Sequence, residues 1–76
     1  MPKLIVTLTD KVPLNEKYKL FCPINDTPMY YRLWVPNSIQ SKEKLQEIVK
    51  TVIEFIYQHD GVAISQDCIL LETPWL

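Results

Sequence analysis

The chain has 76 residues, which leaves room for one domain, residues 1–76, with one hydrophobic core. With 47% apolar and 22% charged residues, it has the composition of a globular protein and not of a disordered chain. Its net charge of −1 gives no overall attraction to nucleic acid, and no apolar stretch approaches the roughly 18–20 residues that a membrane span requires.

The first predicted element is a strand near the N-terminus. The run from Leu4 to Thr9 is rich in β-branched residues and alternates in the way a strand does. Leu4, Val6 and Leu8 would face one side of a sheet. Residues 10–16, which include Pro13 and Asn15, then predict a loop.

Two further strands are predicted as the arms of a hairpin. Residues 17–22 and 30–35 form these arms, and residues 25–28 form a four-residue tip between them. Such a tip sets the register, because directly opposed residues share a face of the sheet. The predicted pairs are Cys22 with Tyr31, Leu20 with Leu33, Tyr18 with Val35, Phe21 with Arg32, and Lys19 with Trp34.

The next segment has the periodicity of an amphipathic helix. Its apolar residues recur at the spacing of one helical face, and they are Leu45, Ile48, Val49, Val52, Ile53 and Ile56. Ser41 is one candidate for the N-cap and Asn37 is the other. Gly61 stands where a left-handed residue would end the helix.

The residues after Gly61 predict a last strand. It either runs through residues 62–72 with a bulge at Gln66 and Asp67, which we favour, or forms two short strands. A strand–helix–strand connection makes this strand parallel to the third, and it could lie beside the first or the third. The fold class is therefore α+β, a β-β-β-α-β domain with an antiparallel meander, one C-terminal strand parallel to strand 3, and one long helix on one sheet face.

The side of the sheet without the helix is the candidate binding surface. Its residues are Phe21, Tyr30, Arg32 and Trp34, with Lys17 and Lys19 at the rim. Aromatic residues and arginine are typical of protein interfaces, so we expect a non-enzymatic, regulatory module that binds a protein partner or a second copy of itself. Single-stranded nucleic acid is the alternative ligand. A third interpretation is a wet sheet face stabilised by its own cation–π pairs, with Arg32 over Phe21 and Lys19 over Trp34.

Other chemistry is sparse. His59 is the one histidine and, with Cys22 and Cys68, has neither the number nor the spacing of a zinc site, so we expect no metal, cofactor or catalytic residue. Both cysteines are predicted to be thiols facing the core. Trp75 is expected to plug an edge of the core or to insert into a partner. The first four residues lack the pattern of a signal peptide, so we expect a cytoplasmic protein with no membrane partner.

Overall fold

The computed structural model describes residues 2–13, 15–22, 30–39 and 41–72. The predicted hairpin tip and Trp75 lie outside these residues. The elements are β1 (Lys3–Thr9), β2 (Lys19–Phe21), β3 (Tyr30–Pro36), α1 (Lys42–Asp60), a short 3₁₀ turn (Gln66–Cys68) and β4 (Ile69–Glu72).

The strands form one mixed sheet in the order β2-β3-β1-β4. β1 is parallel to both β3 and β4, whereas β2 is antiparallel to β3. One helix thus accompanies a four-stranded sheet, and the predicted α+β class is confirmed. The predicted direction of the last strand, parallel to strand 3, is also confirmed.

The neighbours of β1 differ from those of the predicted meander. β1 lies between β3 and β4 and does not pair with β2. Its residues are apolar and buried on one face and, apart from the exposed Lys3, half-buried on the other, which suits a central strand. β2 has three residues and lies at an edge of the sheet, on the side of β3 away from β1.

The register of β2 and β3 is the predicted one over the length of β2. Lys19 lies opposite Trp34, Leu20 opposite Leu33, and Phe21 opposite Arg32. The two outer predicted pairs, at Tyr18 and at Cys22, lie beyond this short ladder. Because the side-chain period of a strand is two, this register decides which side chains look away from α1.

Both ends of α1 are capped at predicted positions. The Ser41 hydroxyl accepts a hydrogen bond from the Lys44 amide at 3.3 Å. Gly61 has φ 70° and ψ 21°, and its amide donates to the Tyr57 carbonyl at 2.9 Å. Asn37, the rival N-cap, lies instead in the turn after β3, where its amide donates to the Thr9 carbonyl.

The core lies between α1 and one face of the sheet. Val52 and Ile56 are fully buried, and the other four residues of the predicted apolar stripe are partly buried against the same cluster. Each fully buried aliphatic side chain contributes about 2 kcal/mol before the entropy of ordering is subtracted. The sheet residues of this core are Leu4, Val6, Leu8, Tyr31, Leu33 and Val35, with Tyr18 and Leu20 at its margin.

The segment after Gly61 departs from the favoured prediction of a long bulged strand. Residues 61–65 are irregular, and the strand begins only at Ile69. Ile64 is nevertheless buried in the core, so its apolar character reflects packing and not strand pairing. The polar residues that follow form the 3₁₀ turn, in which the Cys68 amide donates to the Ser65 carbonyl at 3.0 Å.

The prediction that both cysteines face the core is wrong for Cys22 and holds for Cys68, which packs against the core cluster. Cys22 is exposed and Cys68 is half-buried, and both thiols are free. The prediction assumed that strand alternation continues through Cys22, but Cys22 follows the last residue of β2, whereas Cys68 reaches the core from the end of the 3₁₀ turn.

Candidate binding face

The sheet face opposite α1, called the open face below, is built from rows of residues that the strand pairing places side by side. Paired residues in neighbouring strands point to the same side of a sheet. The first row is Lys19, Trp34, Thr7 and Glu72, the second is Phe21, Arg32, Ile5 and Leu70, and Tyr30 with Lys3 begins a third. Five of the six predicted partner-binding residues therefore share this face.

Phe21 and Trp34 are in contact on the open face. Their ring centroids are 4.7 Å apart with an interplanar angle of 61°, an edge-to-face arrangement. The contact is diagonal, since each ring lies directly opposite a cationic residue of the other strand. Such pairs contribute about 0.5–1.5 kcal/mol beyond the area that they bury. The two rings therefore hold each other in place.

The cations lie over rings other than the predicted ones. The Lys19 ammonium is 5.5 Å from the Phe21 centroid, and the Arg32 guanidinium is 5.7 Å from the Tyr30 centroid. Both contacts join residues two apart on one strand, whereas the prediction paired Lys19 with Trp34 and Arg32 with Phe21 across strands. The Phe21–Trp34 contact occupies the cross-strand position, and long side chains lean along their own strand. Each contact contributes about 0.5–1 kcal/mol at an exposed site.

Phe21, Tyr30, Arg32, Trp34 and Lys19 together form what we call the aromatic–cationic patch. At its border, Arg32 lies 4.0 Å from Glu72 across β1, and both side chains are about half exposed. A pair of this kind contributes about 0–1 kcal/mol. Within the described residues, the open face thus carries Lys3, Lys19 and Arg32 against one carboxylate.

Lys17 stands apart from the patch. It lies in a bend before β2 and lines a cleft of about 700 Å³ between the loop after β1 and the first half of α1. Ile48 and Glu47 of the helix line the same cleft. The prediction treated Lys17 as part of a longer strand, and the ladder ends before it because β2 has only three residues.

A hydrogen-bonded group on the other side of the sheet was not predicted from the sequence. The Tyr31 hydroxyl donates to Asp60 Oδ2 at 2.7 Å, and His59 Nδ1 lies 2.8 Å from Asp60 Oδ1. The His59 ring also stacks on Phe55 with centroids 5.3 Å apart. The available signal was the alternation of β3, which places Tyr31 in the core with a hydroxyl that needs a partner.

The pKa shifts of Tyr31, Asp60 and the nearby Cys22 all favour the protonation state that each side chain normally has near pH 7. Burial, together with the hydrogen bond to Asp60, raises the pKa of Tyr31 to about 12. Hydrogen bonds from His59 and then from Tyr31 lower the pKa of Asp60. Although Cys22 is largely exposed, neighbouring side chains partly desolvate its thiol, and this desolvation, together with the nearby Asp60 charge, raises the pKa of Cys22. The phenol and the thiol are therefore neutral near pH 7, which is the opposite of what nucleophilic activation requires.

Over the described ranges, no three His, Cys, Asp or Glu side chains are grouped closely enough to hold a metal ion. No helix in the same ranges has both the length and the apolar character needed to cross a bilayer.

The fold and this face define a small α+β domain with one sheet face covered by a helix. No protein-family model matches the chain, and comparisons with curated proteins and with solved structures also find no match.

Proposed function

We propose that this protein is a non-enzymatic, regulatory module that binds an acidic protein segment on its aromatic–cationic patch. The observation that carries the proposal is the edge-to-face pair of Phe21 and Trp34 on the sheet face that α1 leaves open. Trp, Tyr and Arg, three of the five residue types in the patch, are the types that dominate interface hot spots. Rings already held by a neighbour lose little conformational entropy on binding.

The charge of the open face selects the kind of partner. Lys3 and Lys19 approach no described carboxylate as closely as Arg32 approaches Glu72. A second copy stacked face to face would bring these cations against their own counterparts. An acidic segment with an aromatic or aliphatic anchor complements both the charge and the rings.

Single-stranded nucleic acid is the alternative ligand, because the patch also places aromatic rings beside lysine and arginine. The placement of the cations favours protein. Lys19 lies over the Phe21 ring and Arg32 over the Tyr30 ring, so a base that stacked on either ring there would first displace a cation.

We also propose that the protein works in the cytoplasm. Its two thiols are free and Cys22 is exposed, a combination that suits a reducing compartment.

Selection from a phage-displayed library of random peptides tests the protein-binding proposal. We expect the selected peptides to combine Asp or Glu with aromatic or aliphatic residues. The double variant Tyr30→Ala/Trp34→Ala should weaken binding of a selected peptide at least about thirtyfold, the effect of losing a hot spot of about 2 kcal/mol. Tyr57→Ala, which truncates an exposed tyrosine of α1, is the matched control and should leave binding unchanged.

Peptides that bind wild type and double variant equally would contradict the proposal. A mixed-sequence single-stranded oligonucleotide, titrated at several salt concentrations, tests the alternative. Binding that falls steeply with salt and is lost in the double variant would assign the patch to nucleic acid.

A further inference from the structure

The outer edge of β4 has features that a protein surface ordinarily avoids. β4 is the last strand of the sheet and pairs only with β1 among the described elements. Its adjacent residues Leu70 and Leu71 are 47% and 53% exposed. They lie on opposite faces, Leu70 beside Ile5 on the open face and Leu71 beside Val6 on the helix side. Apolar surface therefore wraps this edge from both sides.

The exposure of Leu71 arises from where the helix sits. On the same side of the sheet, Val6 in β1 is 1% exposed and Leu33 in β3 is fully buried. The core is thus centred on β1 and β3, and the layer of apolar side chains continues onto β4 beyond the cover of α1. Natural edge strands usually carry charges, proline or bulges that prevent pairing. Ile69, Leu70 and Leu71 carry none of these.

We propose that a second copy of this chain pairs antiparallel with the outer edge of β4. A two-fold axis perpendicular to the sheet would pass beside Leu70, placing it opposite the partner's Leu70. On the helix side, Ile69 would lie opposite the partner's Leu71, and Leu71 would lie opposite the partner's Ile69. Such an interface is self-complementary, as a symmetric dimer requires. It extends the apolar core layer across the axis, and the backbone N–H and C=O groups at the edge of β4 form hydrogen bonds with those of the partner's β4.

The charges of β4 select this register. Opposed residues must share a face of the sheet. From each register to the next, the partner of a given residue is therefore shifted by two positions along the chain. One step brings Leu70 opposite the partner's Glu72, and a further step opposes Glu72 to the partner's Glu72. A step the other way pairs Leu71 with Asp67 of the partner subunit, which lies in the 3₁₀ turn. Of these four registers, the one centred on Leu70 alone places no carboxylate opposite a leucine or opposite another carboxylate, and Glu72 then lies opposite the partner's Cys68.

This dimer goes beyond the proposed function, because it uses an edge of the sheet and not the aromatic–cationic patch. The axis direction places both helices on one side of an eight-stranded sheet and both open faces on the other. With strands about 4.8 Å apart, the two β3 strands would lie about 24 Å from each other. The dimer would then present two patches to one bivalent partner.

Sedimentation equilibrium of the purified chain over a range of concentrations tests the dimer. A pairing of two short strands buries less than a standard interface, so we expect a reversible dimer with a dissociation constant in the micromolar range. Leu70→Lys should raise this constant about tenfold or more, because two like charges would meet at the axis. Phe55→Lys is the control: Phe55 is 48% exposed, like Leu70, but lies on α1.

A charge swap tests the register itself. Leu70→Lys and Leu70→Glu chains should each be monomeric at concentrations where the wild type dimerises. Mixed in equal amounts, they should form a heterodimer, because only in the proposed register does residue 70 oppose its own counterpart. Circular dichroism of each variant verifies that the fold is retained.

Three results would overturn the proposal. The wild type could remain monomeric at every concentration, Phe55→Lys could weaken association as much as Leu70→Lys does, or the charge-swapped mixture could remain monomeric. The peptide test of the aromatic–cationic patch does not depend on any of these results, so the two proposals fail separately.

Discussion

At the scale of single residues, Tyr31 shows how a polar atom is accommodated at the core. Its side chain is 2% exposed, yet its hydroxyl reaches the Asp60 carboxylate at the C-terminal end of α1. Because a buried hydroxyl without a partner is costly, this bond ties the last turn of the helix to the N-terminal end of β3.

Because of Tyr31, we expect the free energy of unfolding to fall at alkaline pH. Its pKa is about 12 in the folded protein and about 10 in an unfolded chain. The folded pKa is the higher one, so its stabilising contribution is complete below pH of about 10 and is lost as pH rises toward about 12. We expect urea denaturation of the wild type to show this loss and Tyr31→Phe to lack it. Tyr57→Phe, at an exposed position, should follow the wild type. If the free energy of unfolding fell equally with pH in the wild type and in Tyr31→Phe, the assignment to Tyr31 would be contradicted.

At the scale of elements, α1 could be predicted closely from the sequence. The apolar stripe, Ser41 and Gly61 are local signals, and each acts within one or two turns of the chain. The β2–β3 register was also predictable, because a hairpin's pairing follows from its loop length and the alternation of its arms.

Gly61 provides a test at this scale. Its φ of 70° lies in the left-handed region, and no atom lies within 4 Å of where a Cβ would stand. Gly61→Ala should therefore lower the free energy of unfolding by about 1–2 kcal/mol through the backbone alone. Gly61→Asn should lose less, since asparagine tolerates this conformation. Urea denaturation measures both, and equal losses for the two variants would show that the left-handed backbone is not the cause.

At the scale of the whole molecule, stability depends on a small core beneath one helix. A domain of this size has a free energy of unfolding of about 4–11 kcal/mol. Ile56 is fully buried between α1 and the sheet. Ile56→Ala should cost about 2–5 kcal/mol, a large share of that total. Phe55→Ala, next in sequence but exposed, should cost far less. Denaturation curves decide the point, and similar losses for the two variants would mean that α1 packs through a different face.

The sequence predicts which residues of the aromatic–cationic patch share a face, but not the contacts among them. Alternation and register place Phe21, Arg32 and Trp34 on the face away from α1. The contacts within the patch could not be predicted, because which ring a cation covers depends on side-chain rotamers in a crowded surface. Lys17 was misplaced because the sequence does not show where a short ladder stops.

The sequence by itself determined the elements whose signals are local: the α1 stripe with its two caps, the hairpin register, and the sorting of apolar from aromatic–cationic side chains. Only the tertiary structure decided that β1 is central and pairs directly with β3, that β4 is an exposed apolar edge, and that the Tyr31 hydroxyl donates to Asp60. The physical reason is the range of the interactions. Capping and alternation act between near neighbours in the chain, whereas strand order and hydrogen bonds across the core depend on how distant segments share one small buried volume.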